Sequence, residues 1–378
     1  MMKKRFAAVL AACLLLCCMP SSAAAMPEVS AKRACVIEVD SGLILEGKNE
    51  NEKAEPASIT KIMTALIALE NYDKTKVITV PKKAAGVEGS SVYLKAGDKY
   101  TMEDLLYALM LRSGNDAATA IALTVGNGKV DTFVDMMNQK AKDLGCTNTH
   151  FNNPHGLPDP NHYTSAHDMA LIAAEALRNE DFCQIVSTKS HKATERGTGE
   201  GHSWQNKNKL LWEYDGAIGV KTGYTKSAGK TYVGAAERNG VRIAVVVMGA
   251  ADMWADAKLL LDDAFTRYQT VQLIQSGQST GVCPVINGLT SEVEGITQGG
   301  IAKAMTEEEK SRVATKCVYQ TPLVAPIEQG QIIGSMQVYL DDTMLGSVPI
   351  EAKNAVETYS FQYCLKKIYE QWLRHDQP

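Results

Sequence analysis

Aromatic residues make up only 6% of the 378-residue chain, and 39 Lys and Arg against 43 Asp and Glu leave no basic excess. Without that excess the chain lacks the positive surface on which a nucleic-acid binder depends, so nucleic acid is excluded as a partner. A bilayer span of about 20 apolar residues is also missing, because the apolar stretch from Phe6 to Met19 falls short of that length. No Cys-x-x-Cys pair points to zinc or redox chemistry, and no His-Glu-x-x-His points to a metalloprotease. With 45% hydrophobic and 22% charged residues, the composition excludes disordered, collagen-like and polytopic membrane classes.

What is present begins with a basic Lys3, Lys4, Arg5 cluster, the apolar stretch, and then Ser-Ser-Ala-Ala-Ala ending at Ala25. This pattern is that of a secretory signal peptide over residues 1–25, and loss of its three cations leaves a mildly acidic exported chain. Three of the nine cysteines fall in this segment, leaving Cys35, Cys146, Cys183, Cys283, Cys317 and Cys364. They are too sparse for a disulfide scaffold. Cys283 and Cys317 are the best-placed pair, and the sequence leaves their redox state open.

Along the exported chain, ACVIEVD and LILEGKN flank Asp40-Ser41-Gly42 in a strand, turn, strand pattern. In PASITKIMTALIALENY the apolar residues Ile59, Ile62, Met63, Leu66 and Ile67 repeat at helical spacing, and Ala65, Ala68 and Leu69 make the remaining faces apolar too. That helix should be buried on most sides. Thr101-x-x-Asp104 and Ser165-x-x-Asp168 open further helices, and FNNPHGLPDPNHY is an irregular loop. TYVGAAER and VRIAVVVMG are joined by Asn239-Gly240, a strong hairpin signal, before the helix WADAKLLLDDAFTRY. Strands at both ends around a helical middle predict a mixed α/β domain over 26–268 whose sheet pairs the two chain ends.

Short strand-like runs with Gly, Asp and Pro turns then predict a small β-rich domain over 270–353. In the tail, 354–378, helical spacing returns from Val356 with Phe361, Leu365, Ile368 and Trp372 on one stripe beside Lys366, Lys367 and Arg374. It reads as an amphipathic helix lying on a membrane surface, against the blander reading of a terminal helix packed on the β domain.

Three motifs carry the chemistry. Ser58-Ile59-Thr60-Lys61 sets a hydroxyl and an amine one turn apart, so a buried, neutral Lys61 can take the proton of Ser58. Alone the motif is weak, since Ser227-Ala-Gly-Lys230 matches it too, in a loop. Ser113-Gly114-Asn115 stands at a break between helices, and Lys221-Thr222-Gly223 ends an expected strand. In this order and spacing they form the signature of penicillin-recognising serine enzymes.

The segments PASITKIMTAL, LMLRSGNDAA, FNNPHGLPDPNHYTSAHDMALIA and GVKTGYTKSAGKTYVGAAERNGVRIAVVV resemble the D-alanyl-D-alanine carboxypeptidases among the low-molecular-mass penicillin-binding proteins. The resemblance implies an α/β (α+β) serine transpeptidase-like catalytic domain, with helices on both faces of an antiparallel sheet and an all-helical subdomain, followed by a β-rich domain. It implies attack by Ser58 on a peptidoglycan stem peptide, with Lys61 as general base and release of the terminal D-alanine. Asn115 would hold the substrate amide, Ser113 and Lys221 would relay the proton to the leaving amine, and Lys221 with Thr222 would attract the substrate carboxylate. The N–H groups of Ser58 and Tyr224, the residue after Gly223, would form the oxyanion hole. β-Lactams would acylate the same serine. No cofactor or metal is expected, and the place of action is the cell wall or periplasm, or the outer face of the cytoplasmic membrane.

Two departures from the family stand out. Where relatives often carry an arginine after the last strand, this chain reads Asp252, Met253 and Trp254, and Lys207 stands where some relatives have arginine. His155, His162 and His167 cluster in sequence without a zinc spacing, and His155 with Gly156 reads as loop shaping. The rival readings are a β-lactamase, for which no Glu-x-x-Leu-Asn segment lies between Asn115 and Lys221, and a non-catalytic penicillin-binding wall protein.

Overall fold

The structure, a computed structural model, describes residues 26–375; residues 1–25, expected to be a signal peptide, lie outside the described residues. A five-stranded antiparallel sheet runs in the spatial order Ile44–Lys48, Arg33–Glu38, Val241–Ala250, Gly229–Arg238, Ala217–Thr225. The first and last parts of the unit therefore meet at its centre, with Arg33 opposite Met248 and Glu38 opposite Ile243. At the Asn239-Gly240 turn both residues have positive φ, 51° and 75°, as a two-residue hairpin requires.

Both faces of the sheet are covered, so its strands read as nearly unbroken apolar runs rather than alternating ones. One face, with Cys35, Ile37, Ala244 and Val246, packs on a helical layer built around Lys61–Asn71, Met102–Arg112, Asn115–Val125 and Ala166–Leu177. The other, with Val36, Ile243, Val245 and Val247, packs on Ala257, Leu260, Leu261 and Ala264 of the Met253–Arg267 helix. The Lys61–Asn71 helix is buried from Lys61 to Ala68, which accounts for its apolar character on every face. Thr101 and Asp104 form the reciprocal cap expected at the head of Met102–Arg112.

Beyond residue 268 the chain is strand-rich. A six-stranded sheet has the order Val313–Tyr319, Ile332–Leu340, Thr343–Ala352, Glu292–Thr297, Ser279–Ile286, Leu323–Val324, around a core of its own that includes Ile333, Val338 and Ile350. Cys283 and Cys317 are free thiols here, as are the other four cysteines of the described residues. The tail becomes helical only at Phe361, later than its spacing suggested. Val356 is buried and bonded through its backbone to Ile327, so the strand-rich core claims this stretch before a helix can begin.

Candidate active site

Ser58 lies on a single 3-10 turn, Ala57–Thr60, that leads directly into Lys61–Asn71. In a 3-10 turn the side chains at i and i+3 eclipse, so Ser58 and Lys61 point the same way. Lys61 Nζ lies 3.1 Å from Ser58 Oγ and donates to Asn115 Oδ1 at 2.7 Å and to the His155 carbonyl at 2.6 Å. Lys61 has no exposed surface at all. Burial, and then the charges of Lys221 and Lys207, hold its pKa well below the usual lysine range.

Ser113 terminates Met102–Arg112 in the left-handed conformation, with φ of 64°. That reversal lets Asn115 start the next helix with its side chain turned to Lys61, and both Ser113 and Asn115 are buried. Lys221, Thr222, Gly223 and Tyr224 lie on the edge strand Ala217–Thr225. Lys221 is buried, donates to the Thr222 carbonyl at 2.8 Å, and has its pKa lowered to about 7 by burial and by Lys207. Tyr224 is exposed.

Gly223 faces the nucleophile turn. A Cβ there would stand 2.9 Å from the Ser58 nitrogen and 2.4 Å from Thr231 Oγ1, so only glycine lets the strand run this close. The arrangement thus presents a hydroxyl, a buried amine and a main-chain N–H beside a free strand edge, which is the equipment for acyl transfer.

Two contributors carried no signal in residue type. The His155 carbonyl takes one Lys61 hydrogen bond, and the Glu88 carbonyl accepts from Asn115 Nδ2 at 2.6 Å. His162 lies 2.8 Å from Thr60 Oγ1 and accepts from the Asn152 N–H. Burial holds it neutral, with a pKa of about 4.

Residues 20–252 match the peptidase family described as D-alanyl-D-alanine carboxypeptidase. The chain belongs to that family. Residues 268–358 match the C-terminal domain of penicillin-binding protein 5. D-Alanyl-D-alanine carboxypeptidase DacF of Bacillus subtilis is 34% identical over 353 residues, covering 91% of this chain and 90% of its own. DacB2 of Mycobacterium tuberculosis is 37% identical over 254 residues, covering 65% of this chain and 86% of its own. Among solved structures, penicillin-binding protein 5 of Haemophilus influenzae superposes with a TM-score of 0.70 at 30% identity, over 88% of this chain and 98% of that one. This carboxypeptidase family member is accordingly a serine hydrolase with a penicillin-recognising catalytic unit and a β-rich rear domain, as its motifs implied.

Proposed function

We propose that the enzyme removes the terminal D-alanine from peptidoglycan stem pentapeptides through an acyl-enzyme on Ser58. The observation that carries this reading is the setting of Lys61. A neutral amine has two N–H donors and one lone pair. Asn115 Oδ1 and the His155 carbonyl are acceptors and engage both donors, so the lone pair is left for the Ser58 hydroxyl. Lys61 then takes the Ser58 proton as Oγ attacks the carbonyl between the last two D-alanines, and the main-chain N–H groups of Ser58 and Tyr224 receive the oxyanion. Lys221 and Ser113 pass a proton to the departing D-alanine, and water cleaves the ester. Asn115 holds the substrate amide, while Lys221, Thr222 and Gly223 line the strand along which the peptide lies.

The division of labour along the chain follows. We assign residues 1–25 to export, 26–268 to catalysis and 270–353 to the β-rich domain, with the terminal helix resting on the outer face of the membrane. Phe361, Leu365, Ile368 and Trp372 are exposed on that helix. No helix among the described residues is long and apolar enough to cross a bilayer, so contact would be with the surface.

Labelled penicillin tests the nucleophile, and D-alanine release from a peptide ending in D-Ala-D-Ala tests the reaction. Wild type should do both and Ser58→Ala neither. Labelling without D-alanine release would remove the carboxypeptidase reading, and labelling of Ser58→Ala would remove the nucleophile.

A further inference from the structure

Asn115 is held from one side by an arch of main chain. The Glu88 carbonyl accepts from its Nδ2 at 2.6 Å, and the Ser90 carbonyl accepts from its backbone N–H at 2.7 Å. The arch has no ladder of its own, since no helix or strand occurs between Ala84 and Lys99. What fastens it is Asp116, a carboxylate with no exposed surface. Asp116 accepts from Ser91 Oγ at 2.6 Å, from the Val92 N–H at 3.1 Å and from the Leu94 N–H at 3.0 Å. Tyr93, between them, has φ of 62°, so the chain bends around the carboxylate. The same group presses on Gly114, where a Cβ would lie 2.7 Å from Asp116 Oδ1. A buried carboxylate is costly unless its oxygens are satisfied, and these are satisfied by the arch together with the Ala117 N–H at 3.0 Å.

We propose that Asp116 is a positioning residue for acyl transfer: by clamping Ser91 to Leu94 it fixes the carbonyls that orient the Asn115 amide, and through Asn115 the Lys61 amine. The inference rests on the reading of Ser58, Lys61 and Asn115 as the reaction centre. When the clamp is loosened, the Asn115 amide is free to turn. Lys61 then meets Nδ2, a donor, in place of Oδ1, and its lone pair is no longer directed at Ser58. Asp116 also acts on Lys61 through its charge. It favours the protonated amine, against Lys221 and Lys207, while His155 and His162, which also face Lys61, stay neutral with pKa values of about 3 and about 4. Removing the carboxylate therefore lowers the pH at which Lys61 becomes a base.

The test uses the full chain with Ser91→Ala, Asp116→Asn and the double variant. It follows kcat and KM for D-alanine release, the pH profile and the thermal midpoint. Ser91→Ala, which deletes the hydroxyl bond to Asp116 and the Tyr93 N–H bond to that hydroxyl, should lower kcat about 3- to 10-fold, and Asp116→Asn about 10- to 100-fold. The double variant should be no slower than Asp116→Asn, because both changes release one clamp. The acid limb of kcat/KM should move to lower pH in Asp116→Asn and stay in place in Ser91→Ala, a difference that a purely structural role would not produce. Wild-type kcat in Ser91→Ala, or multiplying effects in the double variant, overturns the proposal even if Asp116→Asn is too unstable to assay. A wild type that releases no D-alanine overturns this inference together with the reading beneath it, whereas an active wild type beside an unaffected Ser91→Ala overturns the inference alone.

Discussion

Two lysines at the site are buried, and the proposed reaction asks opposite protonation states of them. In the proposed reaction Lys61 must lose its proton to act, whereas Lys221 would serve the substrate carboxylate while protonated. Because Lys221 has its pKa lowered to about 7, acylation by penicillin should fall as pH rises through that value, and the acid limb should reflect deprotonation of Lys61, whose pKa burial holds well below the usual lysine range. Lys207 depresses both lysines, so Lys207→Gln should carry both limbs to higher pH. A pH profile of second-order acylation checks the sign; limbs that stay in place or move to lower pH would contradict it. At Gly223 the constraint is steric. Gly223→Ala should lower acylation by about 100-fold or more, the cost of misplacing one oxyanion donor, while stopped-flow penicillin labelling measures the loss.

The turn and helix that present Ser58 depend on a loop distant in sequence. Gly156 has φ of 88°, and a Cβ there would fall 1.8 Å from the Ala57 carbonyl, so the loop seats directly under the nucleophile turn. Gly156→Ala should therefore displace Ser58 and, with it, penicillin labelling; retention of wild-type labelling would show that the turn can shift without harm. The helix behind the turn has a different weakness. Leu66 is buried within the core between helix and sheet, and Leu66→Ala should cost about 2–5 kcal/mol in denaturant unfolding with the site chemistry unchanged.

At the level of the molecule, the catalytic sheet has Ala217–Thr225 as a free edge, the proposed substrate edge, and its rear attachment on the face covered by the Met253–Arg267 helix. Ala304 of the strand-rich part packs into the core formed with the Met253–Arg267 helix, so the rear domain is seated away from Ser58. The terminal helix is exposed along Phe361, Leu365, Ile368 and Trp372. If the terminal helix rests on the membrane surface as proposed, truncation after Ser360 should leave kcat for D-alanine release within about twofold and abolish co-sedimentation with anionic vesicles, because it removes the apolar stripe. Equal vesicle binding by the truncated chain would place the membrane contact elsewhere.

The sequence by itself determined most of the elements and the pairing of Ser58 with Lys61 on one turn. Three-residue spacing at the head of an apolar-periodic helical segment was enough to place Ser58 and Lys61 together, because within one helical turn such residues share a face. The caps at Thr101 and the hairpin at Asn239 were legible for the same local reason. Bringing Asn115 and Lys221 to that pair was a decision of the tertiary structure, since a left-handed residue, Ser113, reverses one helix and the sheet order puts Lys221 on the edge strand beside the turn. The carbonyls of His155 and Glu88 and the buried clamp of Asp116 were invisible beforehand. A main-chain oxygen has no residue type to betray it, and a carboxylate becomes a clamp only where folding removes its water and surrounds it with donors.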